Sequence, residues 1–305
     1  MIDALQSQRR SDQALLPLGP PRLYHARMIQ ALDYFAALVQ QDDSIPLFEA
    51  ALAIAQDADP QLDLAAPQAE VDVLAVKLQR RLPADASQIQ RLRMLNHFFY
   101  RELGFAGNVN DYYAADNSYL HRVITTRRGI PISLAVVYME LAQQIGLDVK
   151  GISFPGHFLM KLSIQAGDII LDPFNGDSLS REELEERLEP YLENDDYGTD
   201  ITLASYLQPA HPREILVRML RNLKALFMEN KSWDRLLGVQ QRLVILLPEE
   251  IAERRDRGLA FANMECPQAA LDDLEAYLAE RPYASDAERI RGRLPELREA
   301  ARRLN

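Results

Sequence analysis

Residues 127–177 read RRGIPISLAVVYMELAQQIGLDVKGISFPGHFLMKLSIQAGDIILDPFNGD. Ile130-Pro131 is a helix start, because proline fits the first helical position and loses no N–H bond there. Ser133 falls in the first turn, beside free backbone N–H groups and the positive end of the helix dipole. Leu134, Val137, Tyr138, Leu141, Ala142 and Ile145 follow at helical spacing and predict one buried face, with Gly146 as the stop. Val149–Phe154 is a short apolar run that Pro155-Gly156 breaks. His157 opens a second run, which alternates: Phe158, Met160, Leu162 and Ile164 on one face, Leu159, Lys161 and Ser163 with His157 on the other. Gln165-Ala166-Gly167 turns the chain and Asp168–Asp172 returns it as a hairpin. In an antiparallel pair the start of one strand lies beside the end of the next, so His157 and Asp172 become neighbours through a bulge or a diagonal contact.

A hydroxyl at a helix N-terminus, a histidine at a strand start and an aspartate to orient its imidazole follow the logic of a nucleophile–His–Asp triad. Each residue also has an ordinary reading. Ser133 serves as a first-turn residue, His157 with Asp172 as a structural pair, and Asp172 before Pro173 as a turn signal.

The motifs GIPISLAVVY (129–138), FPGHFLMKL (154–162) and LDPFNGD (171–177), with the lead-in DYYAADNSYL (111–120), resemble the SirB-type family over roughly residues 30 to 305. That resemblance implies an α+β, mostly helical fold: a transglutaminase-like, papain-related core with a helix packed on a small antiparallel sheet, then an all-α tetratricopeptide repeat module. It implies a triad-equivalent site of Ser133, His157 and Asp172, and binding residues Asn117, Arg128 and Asn175. The superfamily's nucleophile is a cysteine, and the matching position here is Ser133. The only cysteine, Cys266, lies in the repeat region. A helix N-terminus and a histidine readily make a thiolate, whereas a serine hydroxyl is far harder to ionise and needs a well-placed base and an oxyanion hole.

Outward from this stretch, the chain before it reads as helices at 24–41, 46–58, 67–82 and 84–103, with apolar stripes such as Met28, Ala31, Leu32, Phe35 and Leu38. Gly104–Asn117 is rich in Asn, Asp and Tyr and reads as a loop, lining a cleft or closing local Asx turns. The adjacent Arg127-Arg128 either binds an anion, is solvated or pairs with nearby acids. Ser180–Glu183 is a capping box opening an acidic helix, and residues 181–200 hold nine acids against two bases. A turn follows at Asn194–Gly198. Gln208–Pro212 divides the chain into units of 24–205 and 210–305. In the second unit Pro248 and Pro282, and Phe227 and Phe261, recur 34 residues apart, the tetratricopeptide period. This predicts two helix pairs and a capping helix from a second box, Ser285–Glu288, with Phe227 and Phe261 equivalently buried.

At 305 residues, 48% apolar and 26% charged, the composition is that of a soluble globular protein long enough for two domains. The net charge of −11 argues against a nucleic-acid partner. No stretch is long enough for a membrane span, and the first 25 residues lack a signal-peptide pattern. One cysteine excludes a disulfide framework and fits the reducing cytoplasm. The five histidines share no ligand spacing, and no phosphate loop or dinucleotide fingerprint is present, so neither metal nor cofactor is expected. Two functions fit: a protein- or peptide-binding regulatory protein without catalysis, or a hydrolase or acyl transferase using Ser133, His157 and Asp172.

Overall fold

A computed structural model describes residues 21–192 and 202–304, with side chains from residue 29 to residue 303. His25, Met28, the lead segment to Pro20 and the turn expected at Asn194–Gly198 therefore lie outside the described residues or side chains. In chain order the helices are α1 (Pro21–Leu38), α2 (Leu47–Ile54), α3 (Ala65–Gln79), α4 (Gln88–Asn96), α5 (Leu120–Thr126), α6 (Pro131–Gln144), α7 (Arg181–Leu192), α8 (Leu203–Tyr206), α9 (Pro212–Glu229), α10 (Trp233–Leu246), α11 (Ile251–Asn263), α12 (Pro267–Glu280) and α13 (Ala287–Leu304). The strands are β1 (Ala106–Gly107), β2 (Arg128–Gly129), β3 (Val149–Ile152), β4 (Leu159–Ile164), β5 (Gly167–Leu171) and β6 (Ser178–Leu179).

Helix α6 is the hub. Ile130 is extended and Pro131 occupies the first turn. Every residue from Pro131 to Tyr138 is buried, not the single face that the spacing suggests. A helix apolar all round belongs inside a core, and α2, α3, α4 and α5 pack around this one with the sheet. Gly146 takes φ +75°, the left-handed conformation glycine adopts cheaply, and Leu147 N–H closes onto Ala142 O at 2.8 Å.

The sheet runs β3-β4-β5-β6, all antiparallel. Met160 pairs with Leu171 and Ile164 with Gly167, as a hairpin turning at Gln165-Ala166 requires. Phe158, Met160, Leu162 and Leu171 join the core around α6. The opposite face is covered as well: Ile152, Leu159 and Ile170 pack against Leu184 and Leu188 of α7. Lys161 on that face is nearly buried and donates to Leu207 O at 2.7 Å. Helix α7 starts at the expected box, with Glu183 N–H donating to Ser180 Oγ and Ser180 N–H to the Glu183 carboxylate.

Before the hub, Ser87 caps α4, which widens into a π-helical turn at His97–Glu102. Leu92, Leu95, Phe98 and Phe99 are buried as their stripe implies, whereas Ile89 is exposed. The loop between Gly104 and Asn117 contains an element that its composition hides. Ala106 and Gly107 pair in parallel with Arg128 and Gly129, fixing the loop beside the start of α6.

Five helices, α9–α13, make the repeat region, and tetratricopeptide pairing is evident in α9–α10 and α11–α12. The first pair does not stand apart. Leu216, Leu220, Phe227, Leu243 and Leu246 belong to one apolar core with Phe35 and Tyr138, while α12 and α13 share a smaller cluster around Leu274 and Ile290. This explains why Phe227 is buried and Phe261 only half-buried: the equivalent position in the second pair has no core beneath it. Arg213 clamps α9 to the end of α1 through Val39 O at 2.5 Å and Asp42. Helix α13 begins at Ala287, and the Glu288 carboxylate pairs with Arg291 rather than closing a box on Ser285. Asp286 instead accepts the Tyr277 hydroxyl at 2.7 Å and pairs with Arg255 at 3.0 Å.

Candidate functional site

His157 and Asp172 meet at one end of the sheet. His157 is not in the strand but closes the turn Phe154–His157, its N–H on Phe154 O at 3.2 Å. Gly156 makes that turn possible with φ +66°, and a β-carbon there would strike the Tyr191 hydroxyl. The turn takes up the offset between the strand start at Leu159 and the histidine, so His157 Nε2 lies 2.8 Å from Asp172 Oδ1.

Asp172 is nearly buried and fully engaged. The same Oδ1 accepts Phe174 N–H at 3.0 Å, and Oδ2 accepts Arg187 at 2.9 Å. Burial by itself would raise the carboxyl pKa. The bond and charge of His157, the Phe174 amide and Arg187 outweigh it, and the pKa sits below the ordinary aspartate value. Nε2 being held by the carboxylate leaves Nδ1 as the ring nitrogen available to a ligand, with a quarter of the side chain (26%) exposed.

Ser133 stands apart from this pair. Its hydroxyl is fully buried; it donates to Asn117 O at 2.5 Å, with Ile130 O also at 3.0 Å, and accepts Ile130 N–H at 3.1 Å. Among the described residues no hydrogen bond links it to His157 or Asp172. The neighbouring Gly129 has no room for a β-carbon, which would lie 2.7 Å from Ser133 Oγ. Ser133 therefore reaches back to cap its own helix and to pin the lead-in segment, and the structure does not assemble the three residues as a triad. The physical reason is the direction of the third helical position, which faces inward in a helix buried all round.

The three expected binding residues are also engaged internally. Asn117 is buried; its amide donates to Asp111 O and Tyr112 O and accepts from Asn108 Nδ2. Arg128 is exposed but its guanidinium donates to Gly104 O at 2.6 Å and Arg127 O at 2.9 Å. Asn175 is exposed and closes the turn after β5 through Asp177. None is an open donor converging on His157. Asn117 and Arg128 instead hold the 104–117 loop in place.

Other residues surround His157. Phe174 covers Gly107, and Tyr112 lies 6.3 Å from the Phe174 ring. Beside Tyr112, Val109 and Tyr113 are exposed at 74% and 77% and form an aromatic and apolar rim. Arg187, Tyr191 and Arg218 also stand near this pair. Arg218 comes from α9. It donates to Ser153 Oγ at 2.8 Å, Phe154 O at 3.1 Å and His157 O at 2.8 Å, and lies over the Phe158 ring at 5.7 Å. Burial lowers its pKa, while the phenols of Tyr112 and Tyr191 act in the opposite sense. The expected nucleophile–His–Asp order gave no signal for Arg187 or Arg218. Arg187 sits one helical turn after the capping-box glutamate, and Arg218 lies beyond the proposed domain boundary.

With this geometry, the chain belongs to the transglutaminase-like superfamily, whose model matches residues 65–221. A tetratricopeptide repeat model matches residues 223–295. Among its relatives, the protein SirB1 of Salmonella typhimurium is 28% identical over 74% of this chain and 82% of its own length. A UPF0162 protein of Xylella fastidiosa (strain Temecula1) is 38% identical over 84% of this chain and 91% of its own. The UPF0162 protein YchA of Escherichia coli K12 is 29% identical over 67% and 75%.

Proposed function

We propose that this is a bacterial regulatory protein that binds a peptide or protein in the His157–Asp172 cleft without catalysis, serine replacing the superfamily's cysteine. The observation that carries this reading is the contrast at the expected site. The His157–Asp172 pair is intact and partly open, while the Ser133 hydroxyl is buried and bonded only to backbone. A hydroxyl needs a base within hydrogen-bond reach to attack, and this one has none. The exposed rim of Val109, Tyr112 and Tyr113 supplies the aromatic contact area typical of a recognition surface.

In this reading the two units, 24–205 and 210–305, act together, since α9, which runs on into the repeats, carries the Arg218 that holds the His157 turn. The remaining repeats add a second protein-binding surface. The net charge of −11 favours a protein partner over nucleic acid. Among the described residues no helix is long and apolar enough to cross a membrane; the lone unpaired Cys266 supports a cytoplasmic location.

A serine-directed fluorophosphonate tests the proposal. The expected result is no adduct on Ser133 at high probe concentration, in a protein whose Ser133→Ala variant keeps its ligand. Labelling of Ser133 that disappears in His157→Ala would establish the hydrolase or acyl-transferase reading instead.

A further inference from the structure

Among the described residues no carboxylate lies within ion-pair distance of Arg218, and its three hydrogen bonds go to neutral oxygens. Partly buried cations are often paired, as Arg213 is with Asp42, Lys224 with Glu253 and Asp256, and Arg257 with Asp273, whereas Arg91, like Arg218, is held by neutral oxygens. Arg187, on the facing helix, uses one nitrogen on Asp172 and is 40% exposed. Two guanidinium groups, Arg187 and Arg218, thus flank the His157–Asp172 pair, in a chain whose overall charge is −11. Beside this pair stand Tyr112, Tyr113 and Phe174, with the Tyr112 ring near both of the others.

We infer that the cleft takes a peptide bearing a carboxylate side chain, which docks on Arg218 beside His157, with an adjoining apolar or aromatic residue on the Tyr112–Tyr113 rim. This rests on the binding reading above and names the ligand class for it. Arg218 has donors left over after its three backbone and hydroxyl bonds, since a guanidinium carries five N–H groups. A carboxylate there completes its pairing, and the bonds Arg218 already makes to the 153–157 turn preorganise it for that role.

The test is selection of binders from a random heptapeptide display library against the full chain. Peptides that lose binding in Tyr112→Ala define the cleft-bound pool. The expected pool is enriched in Asp or Glu, and replacing that acid by its amide weakens binding about tenfold or more. In Arg218→Gln the acid and amide peptides should bind alike. Arg218→Lys, which retains the charge, should keep part of the preference. A measurement on the unaltered protein avoids any folding defect of the variants: the acid–amide gap should shrink between about 50 and about 500 mM salt, as screening requires. A cleft-bound pool without acidic preference, or a gap unchanged in Arg218→Gln or by salt, overturns this inference and leaves the binding reading standing. A selection that yields no Tyr112-dependent peptide overturns both.

Discussion

The start of α6 and the turn before β4 hold the two halves of one expected site, and the fold treats them differently. At the turn, Gly156 and Arg218 hold His157 so that its ring meets Asp172 and remains partly open. At the helix, every residue of the first turns is buried and Ser133 closes onto backbone groups from Asn117 and Ile130. A polar side chain in a dry core must satisfy its own hydrogen bonds, and Ser133 does so with whatever lies nearest. A histidine at the end of a sheet has no such requirement and stays available. Motif order is therefore weaker evidence for chemistry than the destination of each hydroxyl's hydrogen bonds.

The contrast can be broken at either end. The largest effect is expected at Asp172. Replacing it with alanine removes the partner of His157, Arg187 and the Phe174 amide together. Loss of one side of a nearly buried ion pair costs about 3 kcal/mol, to be read as a lower urea midpoint at unchanged slope. Peptide binding should fall as well. If Asp172→Ala is as stable as the parent, the pair does not hold this end of the sheet.

Crowding around Ser133 is the next target. Gly129→Ala forces a β-carbon to within 2.7 Å of Ser133 Oγ and 3.1 Å of Val123. Overpacking of this kind costs about 1–3 kcal/mol, and the thermal midpoint should drop while the fluorophosphonate result stays negative. A neutral substitution would mean that the hydroxyl has room to turn elsewhere, including toward the cleft.

Titration gives the smallest effect. The Asp172 pKa is depressed in the folded state, so its contribution to stability is present above the unfolded value of about 3.9 and is lost as pH falls through the folded value. Stability should therefore decline more steeply in acid for the parent than for Asp172→Asn, which cannot take part in this titration. Parallel acid profiles would show that the carboxylate is not stabilised by its partners.

Much of this was legible in the sequence. Pro131, Gly146, the Gln165–Gly167 turn and the Ser180–Glu183 box each fix local structure by chemistry that acts within a few residues, and the 34-residue period located the helix pairs. The His157–Asp172 contact followed from strand pairing with an allowance for an offset, which the turn at Phe154–His157 supplies. What remained hidden depends on which elements come together in space. Ile89 falls on an apolar stripe and is exposed, and Lys161 lies on the alternation's polar face and is buried, because neighbouring layers decide which stripe is covered. Asn117, Arg128 and Asn175 have the right chemistry for a ligand and are also engaged within the chain, the first two on the 104–117 loop and the third in the turn after β5. Arg218 gave no signal because it reaches the site from α9, 61 residues beyond His157.

The most direct measurement places a better nucleophile where the serine stands. In Ser133→Cys with Cys266→Ala, alkylation rates of the single thiol are followed against pH in native and denatured protein. A buried thiol bonded to backbone should be strongly protected in the native state, with rapid labelling only after denaturation and no reactive thiolate at neutral pH. Fast native labelling with a midpoint well below the free-thiol value of about 8.5, lost in His157→Ala, would contradict the account and show that the helix start and the histidine still form one catalytic site.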